Sequence, residues 1–169
     1  EAEKTRQEST LFELKSPSHT GISFTNELTY TEELNPYVFR NFYNGGGVGL
    51  GDINGDGLLD VFFSGNLVPN KLYLNKGDWE FEEIAEKAGV RAEGLWNTGT
   101  TMADVNGDGW LDIYVTNVGR NFLWRNDGQG GFNEVSAAAG VDDLSSLGWG
   151  TAFLDYDNDG DQDLYVVNG

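Results

Sequence analysis

Residues 52–66 read DINGDGLLDVFFSGN, residues 104–117 read DVNGDGWLDIYVTN, and residues 155–169 read DYDNDGDQDLYVVNG. The opening aspartates, Asp52, Asp104 and Asp155, stand 52 and 51 residues apart. The repetition runs past these loops. Residues 70–90 (NKLYLNKGDWEFEEIAEKAGV) and 121–141 (NFLWRNDGQGGFNEVSAAAGV) are offset by 51. Gly47, Gly99 and Gly150 each lie five residues ahead of an opening aspartate. Self-similarity at a fixed period of this length marks a chain of stacked supersecondary units.

Each unit holds several short apolar segments. GVGLGD, GTTMAD and GTAFLD lead into the acidic loops, and DVFFSGN, DIYVTN and DLYVVN leave them. Their Val, Ile, Phe and Tyr content and their length of four to six residues suit strands. NKLYLN and NFLWRN supply a third strand, followed by the turn residues NKGD and NDGQGG. The segments starting at Phe81 and Phe132 read as a short outer strand and one helical turn ending at Gly89 or Gly140. Four short strands per unit predict an all-β fold of β-propeller blades, about three 51-residue repeats of antiparallel strands. The expected divisions are a disordered polar leader at 1–10 and an N-terminal strand with its lead-in at 11–45. Blade 1 then covers 46–97, blade 2 covers 98–148 and a partial blade 3 covers 149–169. The stretch Phe12–Ile22 (FELKSPSHTGI) echoes Phe81–Val90 (FEEIAEKAGV) with one extra residue, as an outer strand ahead of the first full unit would.

The three loops are the chemical centre of the sequence. They hold eleven of the fifteen aspartates, so the acidity is concentrated rather than spread over a solvated surface. Positions 1, 3, 5 and 9 are Asp52, Asn54, Asp56 and Asp60 in the first, and Asp104, Asn106, Asp108 and Asp112 in the second. In the third they are Asp155, Asp157, Asp159 and Asp163. Gly57, Gly109 and Gly160 at position 6 permit a sharp turn. Position 7 (Leu58, Trp110, Asp161) offers a backbone carbonyl. Donors that are all hard oxygens disfavour zinc and copper and suit Ca²⁺, up to three ions, one per loop. An EF-hand opens the same way but needs a bidentate Glu at position 12 and a following helix. Phe63, Val115 and Val166 stand there instead, within β-forming runs. The fourth carboxylate in the third loop predicts the tightest site at Asp155.

Length and composition set the outer bounds. A chain of 169 residues with 38% hydrophobic residues can bury a core. Ten basic against 28 acidic residues give a net charge of −18, which repels nucleic acid and anionic membranes. Three Ca²⁺ would reduce that to −12. No apolar run is long enough for membrane insertion. There is no cysteine, so disulfides and thiolate metal sites are excluded.

The segments GGGVGLGDINGDGLLDVFFSGN, MADVNGDGWLDIYVTN and GWGTAFLDYDNDGDQDLYVVNG resemble FG-GAP/VCBS repeats, the calcium-bearing blades of integrin-α-type propellers. The LYLNKG…FEEIAEKAGV element resembles the propellers of the ASPIC/UnbV group. The resemblance implies a seven-bladed propeller with calcium loops between the first two strands of each blade. It implies an extracellular or cell-surface module for adhesion or for binding a protein or glycan; the polar leader at 1–10 reads either as a tether following a removed export signal or as a frayed terminus. Little more than three units are present, so remaining blades or another chain are expected to cover the exposed edge.

No catalytic constellation stands out. The single histidine, His19, lies beside Ser16 and Ser18 in a turn-like segment, which makes a poor triad. A polysaccharide lyase would need a base such as Tyr43 or a cation such as Lys71, Arg120 or Arg125 beside an open metal site. The glycine run at 45–47 lacks the Lys-Ser/Thr of a phosphate loop and reads as a turn into the first blade. The alternative to a binding module is a non-catalytic scaffold of a polysaccharide-active enzyme, or a catalytic propeller within one. Among aromatics, Trp79, Trp96 and Trp149 are expected near loops or strand ends, where they could stack on sugars. Trp110 and Trp124 are expected in the core or between blades.

Overall fold

The computed structural model describes residues 11–144 and 146–169; the expected leader at 1–10 lies outside them. Helical turn α1 covers Pro17–Thr20. The first sheet is β1 (Val48–Gly51), β2 (Asp60–Phe63), β3 (Lys71–Asn75) and β4 (Phe81–Glu83), followed by α2 (Ala85–Ala88). The second is β5 (Asn97–Ala103), β6 (Asp112–Asn117), β7 (Phe122–Asn126) and β8 (Phe132–Glu134), followed by α3 (Ser136–Ala139). A two-stranded sheet of β9 (Gly148–Leu154) and β10 (Asp163–Asn168) follows. Strands pair with their sequence neighbours, antiparallel throughout, in the orders β1-β2-β3-β4, β5-β6-β7-β8 and β10-β9. Equivalent registers recur: Asn75 faces Phe81 and Asn126 faces Phe132. The mostly-β chain is thus a series of propeller-like blades, as the period predicts.

The fourth segment of each blade resolves as the sequence suggests. A three-residue strand meets one turn of helix, and Gly89 (φ 80°) and Gly140 (φ 69°) end the turns in the left-handed region. That conformation costs a side-chain-bearing residue strain and glycine little.

The core lies between the blades. Phe62, Leu72, Ile84, Ala85, Ala88 and Val90 of the first blade pack on Ile113, Val115 and Trp124 of the second. Burying each large side chain of this kind contributes about 1.5–3 kcal/mol. Consecutive residues of β6 are buried on both faces, because a blade in the middle of a stack has a neighbour on either side. Tyr114 meets Phe153 of β9 edge-on with ring centroids 6.3 Å apart. The innermost strands approach at backbone distance. A Cβ on Gly47 would lie 2.6 Å from the Thr100 backbone nitrogen, and one on Gly99 would collide with the Trp149 carbonyl.

Residues 11–47 form no strand, in contrast to the expected N-terminal strand. A strand exists through hydrogen bonds to a neighbour, and no described strand lies beside Phe12–Leu14. The segment still packs on blade 1. Phe24 stacks on Phe63 at 4.9 Å, and Asn26 exchanges hydrogen bonds with the Asn66 backbone and amide.

Candidate metal centre

Each acidic loop joins the first strand of its blade to the second and is wound by its own side chains. In the first loop Asp52 Oδ1 accepts the N–H of Gly55 and Asp56, and Oδ2 that of Gly57 at 2.8 Å. Asn54 Oδ1 accepts the Asp56 N–H, and Asp56 Oδ1 that of Leu58. The second loop repeats every bond. Asp104 accepts from Gly107, Asp108 and Gly109, Asn106 from Asp108, and Asp108 from Trp110. In the third, Asp155 accepts from Asp159 and Gly160, Asp157 from Asp159, and Asp159 from Asp161. Positions 1, 3 and 5 therefore converge in all three loops. The position-7 residues Leu58, Trp110 and Asp161 enter these networks through their N–H groups.

The convergence is most acidic in the third loop. Carboxylate oxygens of Asp155, Asp157 and Asp159 lie within 4.8 Å of one another. Ligands on one Ca²⁺ sit at 2.3–2.6 Å from it, so two of them are at most about 5 Å apart. The oxygen-only donors and their spacing fit such an ion. In the first two loops the position-3 residue is an amide, and Asn54 and Asn106 donate to Asp56 and Asp108 at 3.0 and 2.8 Å.

Position 9 has a second role that the spacing did not reveal. Asp60 and Asp112 are fully buried. Asp60 Oδ2 accepts the Ile53 N–H at 2.9 Å and Oδ1 that of Asn75 at 2.8 Å. Asp112 does the same with Val105 and Asn126. These carboxylates clamp the loop to the end of the third strand, and each oxygen keeps a further lone pair. Asp163 accepts the Tyr156 N–H at 2.8 Å but stays exposed. Burial raises the Asp60 and Asp112 pKa values despite those N–H bonds. Asp52 moves the other way, held down first by the Gly57 N–H. At Asp104 desolvation opposes the shift, but N–H bonds from Gly109, Asp108 and Gly107 outweigh it.

Asn75 and Asn126 were also missed. Their side-chain oxygens accept the N–H of Gly77 and Gly128 in the outer turns, and their amides donate to the Leu59 and Leu111 carbonyls. The signal was present as an Asn at the same place in both NKLYLN and NFLWRN. Trp110 packs its ring between blades. A Cβ on Gly55 would touch it at 3.2 Å and one on Gly128 at 2.7 Å. Beside it is a cleft of about 340 Å³ that also reaches Asn54 and Gln129. Trp124 is buried as expected. Trp96 departs from expectation. It is buried against Phe39 and Phe42, because the lead-in segment folds over it. Trp79 is exposed.

Most of the groups considered for catalysis are engaged elsewhere, and Arg125 is exposed. His19 Nε2 is 3.1 Å from the Asp78 carbonyl, and Ser16 caps α1 by accepting the His19 N–H. Lys71 pairs with Glu83, and Arg120 pairs with Glu134 and lies over Phe122. Tyr43 and Tyr30 share a hydroxyl contact. No helix of the described residues is long and apolar enough to cross a membrane.

Repeated four-stranded antiparallel sheets, each with an acidic loop between its first two strands, define a β-propeller-type repeat module. The model of the FG-GAP-like repeat matches residues 52–115 and 104–166, and the chain belongs to that family. It is similar to cartilage acidic protein 1 of Homo sapiens, 28% identical over 182 residues, covering 89% of this chain and 27% of that protein. The Mus musculus protein of the same name is 27% identical over 182 residues. That of Xenopus tropicalis is 38% identical over 78 residues, 46% of this chain. The chain thus spans about a quarter of the length of the mammalian relatives.

Proposed function

We propose that this chain is a calcium-binding module in which Ca²⁺ rigidifies the loop between the first and second strands of each blade. The ligands are Asp52, Asn54, Asp56 and Asp60, their counterparts in the second and third loops, and the carbonyls of Leu58, Trp110 and Asp161. The observation that carries the reading is the mutual approach of the Asp155, Asp157 and Asp159 carboxylates within 4.8 Å. Like charges held so close repel without a cation between them.

The module acts outside the cell or at its surface and presents its blades to a protein or glycan. Millimolar calcium there fills even weak sites. The similarity to proteins named for cartilage and acidity, and the chain's own charge of −18, agree with that setting. Exposed Trp79 offers a ring on which a sugar can stack. The module is non-catalytic, a reading supported by the ion pairs that occupy Lys71 and Arg120.

Thermal unfolding with Ca²⁺ and with a chelator tests the proposal. Each site at a hundredfold excess over its Kd adds about 2.7 kcal/mol. An unchanged melting curve, together with no heat of Ca²⁺ binding in calorimetry, would overturn it. Glycan and matrix-protein arrays, probed with and without Ca²⁺, address the ligand.

A further inference from the structure

The lead-in segment ahead of blade 1 carries a cluster of exposed aromatic rings. Tyr30, Tyr37 and Tyr43 are 58%, 98% and 64% exposed. A single exposed tyrosine is ordinary, whereas three around one hollow mark a candidate binding site. With Asn35 and Pro36 they line a cleft of about 580 Å³, and among the described residues no charged side chain lines it.

The walls are held from behind. Tyr30 stacks on Phe42, with ring centroids 5.3 Å apart and planes at 16°, and Tyr43 meets Phe42 edge-on at 86°. The two tyrosine rings therefore stand nearly at right angles, and their hydroxyls meet. Phe42 is fully buried, with Trp96 5.2 Å away. Asn35 fixes the turn that carries the third ring. Its side-chain oxygen accepts the Tyr37 and Val38 N–H groups, and its amide donates to the Thr31 and Glu32 carbonyls.

These supports also decide what the hollow can take. The Asn35 amide has given both its hydrogens, and the Tyr30 and Tyr43 hydroxyls face each other. A sugar, which binds through directional hydrogen bonds, would find few partners here. The ring faces remain, and the face of an aromatic ring is the negative end of its quadrupole, which attracts a cation. Glu32 and Glu33 lie exposed between Tyr30 and Tyr37, and the chain as a whole carries −18. A quaternary ammonium donates no hydrogen bond and spreads its charge over methyl groups, so aromatic walls without a lining carboxylate suit it.

We propose that Tyr30, Tyr37 and Tyr43 form an aromatic cage for a small quaternary ammonium cation of the choline type. None of these residues belongs to an acidic loop, so the inference stands independently of the proposed Ca²⁺ sites.

NMR titration of the complete native protein with choline chloride, at constant Ca²⁺, tests it. Choline should shift the amide signals of Tyr30, Tyr37 and Tyr43 saturably. Its neutral isostere, 3,3-dimethyl-1-butanol, and matched NaCl should not. Tyr37→Leu and Tyr43→Leu keep an apolar wall but lose the ring face, and each should weaken choline binding about two- to fivefold. Tyr37 is almost wholly exposed, so Tyr37→Leu keeps its melting temperature even if Tyr43→Leu loosens Phe42. No saturable shift with choline, an equal response to the neutral isostere, or undiminished binding by Tyr37→Leu would overturn the proposal.

Discussion

The Asn126 side-chain amide donates to the Ile53 carbonyl at 2.9 Å, across 73 residues of sequence. The bond ties the start of the first acidic loop to the third strand of the next blade. The same amide also reaches the Leu111 carbonyl at 3.2 Å. Asn126→Ala would strand buried acceptors and should cost about 1–3 kcal/mol in urea denaturation. Asn75→Ala, whose amide bonds the Leu59 carbonyl within its own blade, should cost less.

Trp110 joins the second loop by its backbone and abuts the first by its ring. Trp110→Ala should therefore loosen both. Exchange of the Gly55 and Gly57 amides should accelerate along with that of Gly107 and Gly109. Stability should fall by about 1–3 kcal/mol. Loosening confined to the second loop would show that the ring carries no restraint between blades.

Asp157→Asn gives the third loop the donor set of the other two. Calorimetric Ca²⁺ titration should then lose its tightest class of site, with the remaining sites unchanged, since charge count tunes affinity in oxygen cages.

Asp127 lies in the outer turn of blade 2, outside the three acidic loops, and reports on acid stability. The Gly131 N–H, and then that of Gln129, hold its carboxyl below the usual carboxylate range. A group with a depressed folded-state pKa stabilises at pH values above its unfolded value of about 3.9. That stability is lost as pH falls through the lower, folded value. Asp127→Asn should therefore be less stable than the parent at pH 7. The two stabilities should converge in denaturant titrations once the pH falls below the depressed folded-state pKa.

The blade period, the strand order and the winding of the loops were legible because they are local. Each depends on residues a few positions apart: alternating acids, a turn glycine, a run of β-formers. The missed features join distant residues. Nothing near Trp96 announces that Phe39 and Phe42 will cover it. The clamping role of Asp60 depends on Asn75, fifteen residues on and one strand over. The strand expected at Phe12 needs a neighbour that no property of its own sequence provides, so only its helical turn, which bonds within itself and leans on blade 1, takes shape.

At Gly47 and Gly99 the innermost strands meet at backbone distance, against Thr100 and Trp149, while the Met102 side chain fills the space beside Gly49 and Gly51. At Gly47 and Gly99 the pitch from one blade to the next is therefore set by main-chain thickness. The outer turn at 76–80 carries no such restriction, since a Cβ on Gly77 would meet nothing within 4 Å, and a foreign loop grafted there should leave the curvature of the array untouched.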